Sequence, residues 1–137
     1  EDDLQAAVVE ALKADAAVTA FVGARIYDRI PDQKTHPFVE FGDAVVRNDG
    51  IDCAPGACTI TFFLHVWSRA VGSREAKKIA HAIHVVLDGA DLALGPDWVL
   101  VELEPPVDSD ATHTTLAEDG KTTQSILTFR ALVDPAA

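Results

Sequence analysis

The chain has 137 residues, 48% hydrophobic and 24% charged, a globular composition long enough to bury one core and too short for two domains of ordinary size. Its 22 carboxylates against 11 Lys and Arg give a formal charge of −11, a field that repels phosphate backbones and excludes a tight reader of nucleic acid. No apolar run approaches the ~18 residues that span a bilayer, so a soluble chain with no membrane partner is expected.

In chain order, Leu4, Ala7, Val8, Ala11 and Leu12 recur at helical spacing behind Asp2 and Asp3, either of which can cap a first helix ending near Asp15. Asp15 then caps a short second helix, Ala16 to Val22, closed by Gly23. The run RIYDRIP is β-rich and ends at Pro31, and Pro37 biases His36 toward extended geometry. A second strand, FVEFGDAVVRND, sets Val39 and Phe41 on one face and carries Gly42 as a bend or bulge.

The third strand, TITFFLHVW, is apolar on both faces. Ile60, Phe62, Leu64 and Val66 fall on one side of the pleat and Thr59, Thr61, Phe63, His65 and Trp67 on the other. One face can meet a helix, so the Phe63, His65 and Trp67 face needs a second cover, supplied by the first helix or by another copy of the chain. The helix follows in REAKKIAHAIHVVLDGADLAL, with Ser73 as cap, Ala76, Ile79, Ala80, Ile83, Val86 and Leu87 as its buried stripe, and Gly89 or Gly95 as its stop.

From Trp98 to Glu104 the alternation puts Val99, Val101 and Leu103 together, until Pro105 and Pro106 end the strand. VDSDATHTTLAEDGK has no apolar period and reads as a polar loop ordered by a partner, with Asp108, Asp110, His113, Glu118 and Asp119 as its docking residues. The last strand, TQSILTFRALVD, sends Ser125, Leu127, Phe129, Ala131 and Val133 to the core and Gln124, Ile126, Thr128, Arg130 and Leu132 away from it. The whole predicts one α+β domain over residues 1–137, ordered α-α-β-β-β-α-β-β, with helices covering one face of a mainly antiparallel sheet.

Little gathers into a reactive site. Cys53 and Cys58 flank a Pro-Gly turn, where free thiols, a disulfide and a metal pair all remain open. His81 and His84 stand three apart on a helix without the HEXXH arrangement, so a solvated face outweighs a metal site. Glu102 and Glu104 share the outward face of a strand, with no nucleophile or oxyanion donors beside them. The chain lacks GxGxxG, GxxxxGK[ST] and GxSxG. No enzyme, cofactor or metal is expected.

Taken together, LQAAVVEALKADAAVTAFVGARIYDRIP, ITFFLHVWSR, GSREAKKIAHAIHVVLDGADLAL and the late TFRALV resemble the small phage tail completion family. That family holds tail terminator, or tail-to-head joining, proteins of long-tailed phages and of phage-derived gene transfer particles. The most specific passage is Trp67-Ser68-Arg69 followed by Glu75, Ala76, Lys77, Ile79, Ala80, Ala82, Ile83 and Leu87. The paired cysteines of CAPGAC depart from it without a family role.

The resemblance implies a non-enzymatic virion subunit, assembled in the bacterial host cytoplasm and located at the tail–neck junction. Copies, usually six, would close a ring on the tail tube, stop its growth and dock to the head connector. Genomic DNA would pass through the ring without tight binding, and the charge of −11 raises the further reading that some of Asp43, Asp49, Asp52, Asp108, Asp110, Glu118 and Asp119 line its lumen and repel phosphates. The plainer account of the acidity is solubility before assembly. Rival readings are another neck or tube subunit, or a monomeric small-ligand domain with Phe63, His65 and Trp67 as a pocket wall.

Overall fold

The computed structural model describes residues 2–27, 35–47, 58–70, 74–94, 98–104, 112–116 and 121–135. Helix α1 spans Asp2–Ala14 and α2 Ala16–Val22. Strands β1 (Ile26–Tyr27), β2 (Phe38–Arg47) and β3 (Cys58–Ser68) follow, then α3 (Arg74–Leu87), β4 (Trp98–Glu104), β5 (Thr112–Leu116) and β6 (Thr123–Pro135). The strands form a 6-stranded sheet ordered β1-β2-β3-β6-β4, with β5 also on β6. Only the short β1–β2 pair is parallel among these pairings. The architecture is α+β, as expected.

Local chemistry accounts for the element ends. The Asp15 carboxylate accepts a hydrogen bond from the Val18 amide at 3.0 Å, satisfying a donor that the start of α2 leaves orphaned. Gly23, at φ 58°, turns the chain out of that helix through a conformation that a side chain would strain. Arg25 then fastens the exit to the sheet: its Nε donates to the Pro37 carbonyl at 2.9 Å, and its own carbonyl accepts from the Val39 amide at 2.9 Å. The His36–Pro37 peptide bond is cis.

The three described helices lie on one side of the sheet. Leu4, Val8 and Leu12 of α1, Val18 and Val22 of α2, and Ile79, Ile83 and Leu87 of α3 share one core with Ile60, Phe62, Leu64, Leu127 and Phe129. Helix α1 therefore does not cover the Phe63, His65 and Trp67 side, because its apolar stripe is already spent against the opposite one. At the centre, Phe62 stacks on Phe41 and Phe129 at centroid separations of 5.3 and 5.7 Å.

Two expectations are corrected here. The alternation in β4 fails at a register shift between Leu100 and Glu102, which leaves Val99 and Val101 about half exposed while Leu100 and Leu103 are buried. A bulge inserts a residue and reverses the side-chain parity beyond it. Within the expected polar loop, Thr112–Leu116 forms strand β5, which pairs with the first half of β6. The Thr114 and Ser125 hydroxyls hydrogen-bond at 2.8 Å across that pair.

Phe62→Ala should lower unfolding free energy by about 3–5 kcal/mol, because it empties a ring from between two others. Urea denaturation measures this, and a loss under about 1 kcal/mol would mean that the core collapses into the space.

Candidate functional site: the uncovered sheet face

Because β3 and β6 pair in register from Cys58↔Val133 to Ser68↔Thr123, their outward residues form continuous rows. Phe63 lies opposite Thr128, His65 opposite Ile126, and Trp67 opposite Gln124. Strand β2 extends the rows with Glu40 opposite His65 and Phe38 opposite Trp67. The outward residues of β3 and β6, from Thr59 to Trp67 and Gln124 to Leu132, are all half-buried rather than sealed. None belongs to the helix-covered core.

At one end of the face the rings gather. Trp67 stacks on Phe38 at 6.4 Å and on His65 at 6.3 Å, and Phe38 in turn meets Tyr27 at 5.9 Å and His36 at 5.0 Å. Phe38 is buried, although it stands outside the main core. The Trp67 indole N–H is shut from water with no acceptor among the described residues. An unpaired buried donor costs about 1–3 kcal/mol, so hydrogen bonding has not completed the packing at this end.

His65 is fixed from two sides. Its Nδ1 lies 2.7 Å from the Gln124 amide nitrogen, a pairing in which the amide donates to the unprotonated ring nitrogen. Its ring covers Gly42, where an added Cβ would come within 2.6 Å of Nε2 and 2.7 Å of Cδ2. The glycine expected as a bend therefore also leaves space for a cross-strand ring, and the sheet register shifts beside it between Phe41 and Ala44.

The Trp67-Ser68-Arg69 passage joins this face to the helix layer. The Ser68 hydroxyl donates to the Glu75 carboxylate at 2.8 Å and accepts from the Ala70 amide at 3.2 Å. Arg69 Nε donates to the Thr122 hydroxyl at 3.3 Å. Ser68 is wholly buried, so its partners end β3 and aim the chain into α3.

Of the expected site residues, Phe63, His65 and Trp67 share this face, and Asp43 lies in β2. Asp49, Asp52, Asp108, Asp110, Glu118 and Asp119 lie outside the described residues, as does Cys53. His113 falls in β5, at the register position opposite Ile126, and not in a loop. His81 is exposed, whereas His84 is half-buried with its ring 5.1 Å from Phe129. Burial holds the His84 pKa below its ordinary value, against the opposing pull of Asp88 and with a smaller push from His81. Among the described residues no three His, Cys, Asp or Glu side chains gather as metal ligands. Sequence reading missed Phe38, although strand parity from Val39 and Phe41 already places it opposite them.

Gly42→Ala should cost about 1–3 kcal/mol by forcing His65 off its perch and away from Gln124. In a His65→Ala background most of that cost should disappear. Equal losses in both backgrounds, read by denaturant unfolding, would locate the clash elsewhere.

A family model and the solved structures point to the same family. The model of the tail completion protein gp17 family matches residues 6–134. A chain from the virion of a native gene transfer agent particle is 33% identical, covering 95% of this chain and 93% of its own, with a TM-score of 0.82. The bacteriophage SPP1 gp17 protein is 22% identical over 97% of this chain and 90% of its own, at a TM-score of 0.62, a likeness in fold. No curated protein matches. With nearly its whole length inside the family's model, the chain belongs to the tail completion protein gp17 family.

Proposed function

We propose that this chain is a non-enzymatic, single-domain virion subunit at the tail–neck junction. Its copies, six by family likeness, close a ring that caps the tail tube and docks it to the head connector. The observation that carries the ring is the sheet face away from the helices: an aromatic and aliphatic surface, half-buried in the isolated chain, with every described helix on the other side. A surface of this kind is stable when chain covers it, and in a ring a neighbouring copy is always at hand. The 33% identity to a gene transfer agent virion chain supports the setting.

Phe63→Thr with Ile126→Thr keeps β-forming residues while removing most of the apolar surface at the middle of the face. The variant should melt within a few degrees of the parent yet fail to cap tubes, giving overlong tails and few joined particles in negative stain. Normal tail lengths from a folded variant would refute the face as a seam.

Two further surfaces belong to this reading. Asp108, Asp110, Glu118 and Asp119 dock the ring to its partners, beside His113 at the β5 edge, while Asp43, Asp49 and Asp52 line the lumen and keep DNA sliding. Replacing the first four by Ala should yield capped tails that do not join heads. Reversing the other three to Lys should slow DNA release, most at low salt. Joined heads in the first case, or unchanged release at every salt concentration in the second, would remove that assignment.

A further inference from the structure

Cations are scarce in this chain, yet Arg74, Lys77 and Lys78 lie along one side of α3 with His81, all exposed. They rim an open groove of about 850 Å3 between α2 and α3, whose apolar part includes Phe21, Ala82 and the 68% exposed Val85. Arg74, Lys77 and Lys78 enter no ion pair among the described residues. Of the acids nearby, Glu75 accepts from Ser68, and Asp15, which also lines the groove, accepts from the Val18 amide as the cap of α2.

The same helix ends in the opposite chemistry. Past Leu87 the chain turns at Gly89, whose amide donates to the Leu103 carbonyl at 2.9 Å and holds the turn against β4. There Asp88, Asp91 and Glu102, all exposed, surround a notch lined also by the 52% exposed Val101. Each patch joins an exposed valine to charges mainly of one sign, cations outnumbering the single Asp15 in the groove and carboxylates alone in the notch, and the prevailing signs are opposite. Lys77 and Asp88 are eleven residues apart, about 17 Å along a helix, so one copy cannot close its own groove with its own notch.

Helix stability does not explain the arrangement. A cation at Arg74 and a carboxylate at Asp88 both oppose the macrodipole. Copies with a formal charge of −11 repel one another, and a local patch of the opposite sign gives them an orientation in which contact is attractive.

We propose that the groove between α2 and α3 receives the α3–β4 notch of a second copy of this chain, locking neighbours head to tail. The inference rests on the ring reading and deepens it. A contact between two different patches of identical chains propagates in one rotational sense, which closes a ring when the rotation divides a full turn. The basic rim selects the acidic notch, the valines exclude water between them, and the polarity of α3 sets the direction of the ring.

The test compares the wild-type chain with Lys77→Glu/Lys78→Glu and Asp88→Lys/Asp91→Lys variants. Each is added to tail tubes isolated from particles lacking the chain, and caps are counted in negative stain. Thermal unfolding confirms that the exposed reversals leave the fold intact. Either variant alone should need roughly 100-fold more protein to cap tubes. An equimolar mixture should restore capping, because alternating copies then meet opposite charges at every contact.

Wild-type-like capping by either variant overturns the lock while the ring reading stands. So does a mixture no better than its parts, and a loss confined to the groove variant would assign the groove to some other acidic partner. A wild-type chain that forms no ring on tubes overturns both the lock and the ring reading.

Discussion

The register between β3 and β6 is the constraint on which the rest of the molecule depends. Eleven consecutive pairs hold it, from Cys58↔Val133 to Ser68↔Thr123. A slip of one residue would exchange Phe62, Leu64 and Val66 for Phe63, His65 and Trp67 on the helix side. Such a slip would place rings and a histidine where the core has closed around Phe62, between Phe41 and Phe129. The pairing is secured at its end by polar groups whose bonds suit only one register. Ser68, buried opposite Thr123, must reach Glu75 at the start of α3, and Ser125 must reach Thr114 on β5.

That register also produces the half-buried face away from the helices. A central strand with two apolar faces needs two covers, and the three helices provide one. Strands whose outer face is meant for water alternate apolar with polar residues. Here Phe63 and Trp67 on β3 stand beside Ile126 and Leu132 on β6, mixed with Thr61, Thr128 and Gln124. The result is a surface soluble enough to persist in a free subunit and apolar enough to associate. The aromatic end is better closed, since Phe38 is buried beneath Trp67, His36 and Tyr27, so it is the stiffer part of the face.

Much of this was legible in the residues wherever a periodic apolar pattern carried it. Asp15 and Gly23 marked both ends of α2, and the stripe of α3 is buried as its spacing required except at Val86, which is partly buried, while Ala82 beside the stripe is buried as well. The two faces of β3 followed from parity alone. What failed to show had no periodicity to display. THTTL offers no apolar face, and its strand exists because the free edge of β6 pairs with it. The bulge in β4 defeated a parity count that placed Val99 and Val101 with Leu103, since an inserted residue leaves no mark on a hydrophobic pattern. The bond from Ser68 to Glu75 lay inside the recognised WSR-to-helix passage, but a spacing of seven residues across a turn does not announce a contact.

The charge of −11 is compatible with the proposed self-association because the two act over different ranges. At physiological ionic strength the Debye length is about 8 Å, so carboxylates on separate copies scarcely sense one another until their surfaces are close. Net charge then slows encounters and discourages disordered aggregation, while the apolar face and the charged groups within contact distance determine which encounters persist. In the proposed ring, such a balance would keep subunits dispersed until a template gathers copies at high local concentration. Acidity of the whole chain and cohesion at particular patches are thus complementary properties of one surface.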